Sequence, residues 1–449
     1  NYTPNCTSAE IVLEATWTEA TVRTSAPGTN DFTTGTYETN FWVVTGANQS
    51  VGSYGKNMTI MGCNPDGSSP NGNNVSGDLS VSGNVTVKIE NIKLSSTGNI
   101  NAAGHNLFIG RGVTMTSNTK PYLYASNSTS DVVNQILRVE SGTYRGFRHY
   151  GTRPSSVTSQ TVILGCDYDR AKGDNTKMAV TGDMIYSDNT TPKGVTADDI
   201  WATYSYIKSG DFQSPANAWL DGGDAIYYLG QNSNFPKNDQ GKRYLEIQGG
   251  LLTNIAGCST ISATDADHCS DYSQVVLAMR MKGGRVRNVI YGGARSNNSE
   301  GSRAYVVTGG QIDGWITPGT NGTSDRGGII YGAGYLYVGG NAKVDSRNHR
   351  SGNNAVLCHS VGGNLFGAGC GIDNGTNRKS GGNRLGTNTV VADNAFVERG
   401  VYGGGSFGYT DGTAYIYITG GEVGCMPGGV PNSDNTGYDG SIPGGVYGG

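Results

Sequence analysis

The chain has 449 residues, of which 72 are glycine and only 15% are charged, with a net charge of −4. The glycines come as doublets and triplets rather than at every third position, so the composition excludes both a long helical bundle and collagen. The charge includes no basic block, and the longest apolar runs are about five residues, so we expect neither nucleic-acid binding nor a membrane span.

Residues 1–56 are predicted to form an N-terminal cap and the first coils of a repeating structure. Short β-rich runs divided by Gly, Asn and Ser follow over residues 57–280. Apolar side chains within residues 79–89 keep one phase of a two-residue alternation, and Ile92 and Leu94 take the other phase after Asn91. Such a slip is expected where a chain rounds a corner and keeps its apolar side chains inward. These residues are therefore predicted to be a β-solenoid with loop insertions, the longest at 167–241.

One unit recurs from residue 139 to the end of the chain. It consists of an apolar residue, any residue, Ser or Gly, then Gly, any residue and one or two apolar residues, and it occurs at 139–144, 207–212, 247–252, 281–286, 307–312 and 418–423. Glycine adopts positive φ without a Cβ penalty, so the pair predicts a sharp turn between two strands. A side chain at that turn would also clash with a coil stacked on it.

A second unit distinguishes the glycine-rich residues 281–449. An aliphatic and an aromatic residue precede two or three small residues at 290–293, 330–334, 365–369, 401–405 and 446–449. Starts 35 to 45 residues apart indicate similar coils with variable loops. Because neither a sandwich nor a propeller explains glycine pairs at corresponding corners, we predict an all-β fold, a parallel β-solenoid forming a single elongated rod. At about 22 residues per coil, we expect roughly 20 coils.

The strings ITGGEV (418–423), MKGGRVRNVIYGG (281–293) and VYGGG (401–405) resemble the GG-V-VYGGG repeats of large secreted or surface-anchored bacterial proteins. That family comprises adhesin-like proteins with a right-handed parallel β-helix, and residues 57–116 are similar to their opening coils. The resemblance implies an extracellular or cell-surface rod that serves adhesion or display, and it implies no catalytic residue.

Aromatic residues of the insertion are the candidates for ligand contact. Exposed rings on a rod suit sugar-ring stacking or protein contacts, whereas the alternative is a local subcore over the solenoid. The candidates are Trp201, Tyr204, Trp219, Tyr227 and Tyr228. We therefore expect glycans or host or cell-surface proteins as partners, with self-association into a fibre as a further possibility.

A polysaccharide-processing β-helix enzyme, a lyase or a glycosidase, is the alternative function. Its carboxylates would come from acidic loops, which are otherwise expected to be solvated. The candidates are Asp167, Asp169 and Asp174 with Arg170, and Asp265, Asp267 and Asp271. The five histidines form no HxH or HExxH pair, so we expect no metal site, no cofactor and no catalytic residue.

Eight cysteines form an even set without metal-binding spacing. They favour an oxidising compartment, and eight free thiols are the alternative. Cys258 with Cys269 and Cys358 with Cys370 are the expected local disulfides, and Cys6 and Cys63 are further candidates.

Overall fold

In the computed structural model, the described residues form 41 strands and no helix. All-β structure, as expected from the sequence, therefore holds throughout this part of the chain. The described residues are 19–62, 74–95, 99–115, 121–126, 135–144, 146–149, 160–165, 179–181, 185–186, 192–193, 204–213, 226–228, 242–256, 276–291, 303–313, 329–332, 334–345, 363–368, 371–372, 379–380, 387–397, 400–405, 412–423 and 445–448.

One sheet of 14 strands, here called the long sheet, runs through the described chain, and every neighbouring pair in it is parallel. In spatial order, which is also chain order, its strands are Thr21–Arg23, Asn40–Val43, Met58–Met61, Thr86–Glu90, Asn106–Ile109, Gln135–Val139, Gln160–Leu164, Tyr204–Ile207, Lys242–Ile247, Val276–Met281, Arg303–Val307, Tyr335–Gly339, Asn388–Asp393 and Ala414–Ile418.

In the N-terminal half, the chain leaves the long sheet and visits two smaller parallel sheets before it returns. The four-stranded sheet comprises Gln49–Ser50, Asn74–Ser76, Lys93–Leu94 and Thr114–Met115. The five-stranded sheet comprises Ser53–Tyr54, Leu79–Val81, Ile100–Asn101, Tyr122–Ser126 and Gly146–His149. Because the same cyclic order repeats, successive strands of each sheet belong to successive turns of the chain.

In the C-terminal half, a second 14-stranded sheet replaces them. Its main path comprises Thr143–Tyr144, Ala179–Thr181, Asp211–Gln213, Leu251–Ala256, Arg285–Tyr291, Gln311–Asp313, Lys343–Asp345, Ala395–Val397 and Gly421–Val423. Its branch comprises Ile226–Tyr228, Ile329–Tyr331, Asn364–Phe366, Gly400–Tyr402 and Gly445–Tyr447. Two antiparallel pairs lie outside these sheets: Ile185–Tyr186 with Pro192–Lys193, and Gly371–Ile372 with Lys379–Ser380.

The core is built from rows of side chains that stack in register. One row on the inner face of the long sheet has members that are each at most 1% exposed. It consists of Trp42, Ile60, Ile89, Ile109, Val139, Leu164, Ile207, Ile247, Met281, Val307, Val338 and Ala392. Apolar area leaves water at every added strand, so the core grows with the number of strands.

The glycine pairs lie at the corners between the long sheet and the second sheet. At the Met281 corner, a Cβ on Gly283 would lie 2.5 Å from the Gln248 carbonyl oxygen of the adjacent turn, and Gly284 has φ +83°. Arg285 N then donates to the Gly250 carbonyl oxygen at 2.9 Å, so backbone pairing resumes beyond the corner. This confirms that the doublets mark turns at which stacked backbones touch.

The aromatic repeat stacks on itself. Its aliphatic residues, from Ile290 to Val446, occupy one register position on five strands, and its aromatic residues occupy the next position. The Phe366 and Tyr402 ring centroids are 4.7 Å apart, and those of Tyr402 and Tyr447 are 4.8 Å apart, with nearly parallel planes. Five copies of the motif therefore form one continuous ladder.

The described residues show fewer turns than the sequence predicts. Their longest sheets have 14 strands, against the roughly 20 coils expected at about 22 residues each. Residues on stacked strands can be far apart in sequence, and this separation accounts for the difference. Asn106 bonds to Thr86 at a separation of 20 residues, whereas Tyr337 bonds to Asp393 at a separation of 56.

Candidate binding face on the long sheet

Of the aromatic residues predicted to contact ligand, Tyr204 is the one whose side chain the structure describes. It begins the strand Tyr204–Ile207, is 44% exposed, and points away from the buried Ser205 and Ile207. Tyr227 and Tyr228 lie in the strand Ile226–Tyr228, which pairs with Leu251–Ala256. The other predicted residues lie outside the described residues: Trp201, Trp219, the disulfide candidates Cys6, Cys63, Cys258, Cys269, Cys358 and Cys370, and the acidic-loop residues Asp167, Asp169, Arg170, Asp174, Asp265, Asp267 and Asp271.

The outer face of the long sheet carries tyrosines in pairs. Three strands each contain two tyrosines separated by one inward-facing residue, which is buried in the first two strands and partly buried in the third, and alternation directs both rings outward. These pairs are Tyr204 and Tyr206, Tyr335 and Tyr337, and Tyr415 and Tyr417. This face therefore combines aromatic rings with the polar groups that lie between them.

A carboxylate cluster lies beside the first pair. Glu246 is only 7% exposed and accepts hydrogen bonds from Tyr244 Oη at 2.6 Å, Gln248 Nε2 at 2.8 Å and Lys282 Nζ at 2.6 Å. Burial alone would raise the pKa of Glu246, but the bonds from Lys282, Tyr244 and Gln248 outweigh it and lower the pKa to about 2. Burial, followed by the bond to Glu246, raises the pKa of Tyr244 to about 12. The cluster is thus an ionised carboxylate with three donors, suited to holding neighbouring strands together.

A second carboxylate cluster lies beside the other two pairs. Asp393 accepts hydrogen bonds from Tyr337 Oη and Thr419 Oγ1, both at 2.7 Å, and from Asn394 Nδ2 at 3.3 Å. The bond from Tyr337, followed by that from Thr419, lowers the pKa of Asp393, and the same carboxylate raises the pKa of Tyr337. A Cβ on Gly339 would lie 2.6 Å from the Tyr337 hydroxyl oxygen. Glycine at this position therefore leaves the space through which Tyr337 reaches Asp393.

Two smaller side chains separate the last two tyrosine pairs. Thr389 lies in register between Tyr335 and Tyr415, and Val391 lies between Tyr337 and Tyr417. Both intervening side chains are half-buried. These four tyrosines form the two walls of what is here called the tyrosine trough. Thr389 and Val391 form its floor, and Asp393 and Thr419 lie at its end. The strands that bear the two walls are two strand spacings, about 10 Å, apart.

Sequence reasoning did not select the trough as a site. The sequence-based search for ligand contacts was confined to the 167–241 insertion. The repeated Tyr-x-Tyr pattern at 335–337 and 415–417 is a signal that could have identified the walls. The carboxylate at its end could not be identified in this way, because Tyr337 and Asp393 are 56 residues apart and meet only because their strands stack.

A cavity of about 20 Å³ lies in the N-terminal core, and its lining is largely apolar, including Val51, Val75 and Leu94. No three His, Cys, Asp or Glu side chains of the described residues come together as metal ligands. None of the described residues forms a helix of the length and apolar character that crossing a bilayer requires. Comparisons of the chain with protein-family models, with curated proteins and with solved structures returned no match.

Proposed function

We propose that this chain is a structural rod that holds binding surfaces at a distance from a cell. In this proposal the stacked sheets form a right-handed parallel β-helix, the protein is extracellular and of the bacterial adhesin-like repeat type, and it is not an enzyme. Its partners would be glycans or proteins of a host or cell surface. Right-handed crossovers between parallel strands are the general rule, which supports the assigned hand.

The observation that carries this proposal is the unbroken buried row from Trp42 to Ala392 on the long sheet. Each added strand extends the sheet by about 4.8 Å, so 14 strands span about 60 Å. Because every strand is hydrogen-bonded on both sides except at the ends, bending the sheet would strain bonds and packing together. Such a structure is mechanically suited to displaying the side chains on its outer face.

Small-angle X-ray scattering of the purified chain tests the rod. We expect a rod-like scattering profile with a cross-section much smaller than the maximum dimension, and a maximum dimension of at least about 60 Å. A compact, near-spherical particle would overturn the proposal. The display role requires a second measurement, in which beads coated with the chain are tested for adhesion to cells or immobilised glycans against beads coated with albumin.

Self-association into a fibre belongs to the same proposal. The last strand of the long sheet, Ala414–Ile418, has no partner on its outer edge among the described residues, and Ile418 is 41% exposed. Unpaired parallel edges are templates for pairing with another chain. A second copy of this chain is the partner proposed for that edge.

A further inference from the structure

We propose that the tyrosine trough binds a neutral carbohydrate chain. This inference rests on the proposed function, because it assigns a ligand to a surface that the rod displays. It concerns residues 335–419, whereas the insertion whose aromatic residues were predicted to contact ligand spans residues 167–241.

The rings of the trough are accessible. Tyr335, Tyr415 and Tyr417 are 40%, 48% and 52% exposed, and the last two rings are nearly parallel, with centroids 6.5 Å apart and planes inclined by 15°. A sugar ring presents C–H groups on its faces and hydroxyls around its rim, so aromatic faces bind it without a matching charge. Because these rings project from regular strands, little rotational freedom is lost on binding.

The end of the trough supplies the polar contacts that a sugar needs. Asp393 accepts from Tyr337, Thr419 and Asn394, and an ionised carboxylate has about four acceptor sites, so at least one remains for a ligand hydroxyl. Thr389 and Thr419 add hydroxyls on the floor and at the end. Rings flanked by an acceptor and by hydroxyls match the mixed apolar and hydroxyl surface of a saccharide.

Charge and size decide the class of ligand. The fixed negative charge of Asp393 disfavours polyuronates, sulfated glycans and nucleic acids, which leaves neutral polysaccharides. The strands that bear the two tyrosine pairs are about 10 Å apart, so one sugar chain is wide enough to contact both pairs. A stable protein partner would instead cover about 800 Å² and 20 to 30 residues on each side, far more than the eight residues of the trough.

The test is affinity gel electrophoresis of the full chain in gels containing dextran, mixed-linkage β-glucan, galactomannan or arabinoxylan, with polygalacturonate as the anionic comparison. We expect at least one neutral polysaccharide to retard the wild-type chain and polygalacturonate to have no effect. The double variant Tyr415→Ala/Tyr417→Ala should weaken the retardation by about tenfold or more, because two stacking rings are lost. Asp393→Asn should weaken it several-fold.

Ile136→Ala is the control, since Ile136 is an exposed apolar residue on the outer face of the same sheet but lies outside the trough. It should leave retardation unchanged, and circular dichroism should show all variants folded. Absence of retardation in every neutral gel, an equal loss in Ile136→Ala, or retention of binding in the double variant would overturn the inference. Release of reducing ends from a gel polysaccharide would also overturn it, in favour of an enzyme. Scattering of the same samples separates the two failures: a rod that binds no polysaccharide refutes this inference alone, whereas a compact particle refutes the proposed function.

Discussion

At the scale of single residues, two buried serines make opposite contributions to the free energy of unfolding. Ser205 is fully buried in register with Val162 and Leu245, and its hydroxyl has no hydrogen-bond partner among the described residues. An unsatisfied buried hydroxyl costs about 1–3 kcal/mol, part of which Ser205→Ala recovers. We expect this variant to raise the free energy of unfolding by about 1 kcal/mol, measured by urea denaturation with circular dichroism.

Ser141 provides the control for that measurement. It is equally buried, but its hydroxyl donates to the Gly110 carbonyl oxygen at 2.6 Å and accepts from Val113 N at 2.9 Å. Ser141→Ala leaves both partners unsatisfied and should lower the free energy of unfolding by about 1–3 kcal/mol. If the two variants shift stability in the same direction, hydrogen bonding does not distinguish the two sites.

The pKa of Glu246 makes a second prediction at this scale. Its pKa in the folded chain, about 2, lies below the ordinary value of 4.5, so its stabilising effect is fully present above about pH 4.5 and is lost as the pH falls toward 2. The shift corresponds to on the order of 3 kcal/mol. We expect Glu246→Gln to be destabilised at pH 7, and the difference from wild type in urea denaturation to shrink steadily below pH 4.5.

Glu90 is the comparison for this effect. It also pairs with a lysine, Lys88, at 2.6 Å, but its side chain is 21% exposed against 9% for Glu246. Water therefore screens the pair, and Glu90→Gln should change stability by less than about 1 kcal/mol. A difference between Glu246→Gln and wild type that stays constant from pH 7 to pH 3 would contradict the assigned role of the carboxylate.

These residue-level contacts were beyond the reach of sequence reasoning. Lys282 and Glu246 are 36 residues apart, and Tyr337 and Asp393 are 56 apart. Two side chains meet only where their strands stack. The separation in sequence between stacked strands varies from turn to turn, so it cannot be read from a local pattern. An alternation pattern identifies the face on which a side chain lies, but it does not identify the neighbour across the strand gap.

At the scale of elements, the glycine corners decide how closely turns can stack. A methyl group on Gly283 would strike the Gln248 carbonyl oxygen at 2.5 Å, and backbone at that corner cannot move without breaking the ladder. Gly283→Ala should therefore lower the free energy of unfolding by about 2 kcal/mol or more. Gly52→Ala is the control, because a Cβ there meets nothing within 4 Å and φ is not in the left-handed region.

We expect Gly52→Ala to leave the urea midpoint unchanged, or to raise stability by up to about 1 kcal/mol through the unfolded chain. Equal destabilisation by both substitutions would show that loss of chain flexibility, rather than the close approach of two turns, accounts for the effect at Gly283.

Elements were the level at which the sequence was most informative. The slip predicted after Asn91 is present: Asn91 has φ +47°, and Ile89, Ile92 and Leu94 are all buried. The aromatic repeat was found as five strings and is observed as five stacked strands. Both predictions succeeded because strand phase and glycine geometry are local. More turns were predicted than the described residues show, because the separation in sequence between stacked strands is not a local property.

At the scale of the whole molecule, the described structure ends in an uncovered layer. Ile418 and Val446 are 41% and 50% exposed, although they are in register with the fully buried Ala392 and Val401. A Cβ on Gly448 would meet open space. At the opposite end, the strand Thr21–Arg23 exposes 55% of Val22. Thr21–Arg23 and Ala414–Ile418 are the two edge strands of one parallel sheet. The second copy proposed above would therefore stack on the first head to tail.

Head-to-tail contacts of this kind do not close on themselves and produce filaments. We expect sedimentation velocity to show species that grow with protein concentration, and Ile418→Lys/Val446→Lys to remain monomeric because two charges would be buried in the contact. Ile136→Lys is the control, since Ile136 is 38% exposed on the strand Gln135–Val139, in the middle of the sheet and away from both ends. A wild-type chain that sediments as a single species at all concentrations would contradict stacking through the terminal strands. Equal dissociation of the filaments by Ile136→Lys would also contradict it, because a lysine far from both ends should not disturb an end contact.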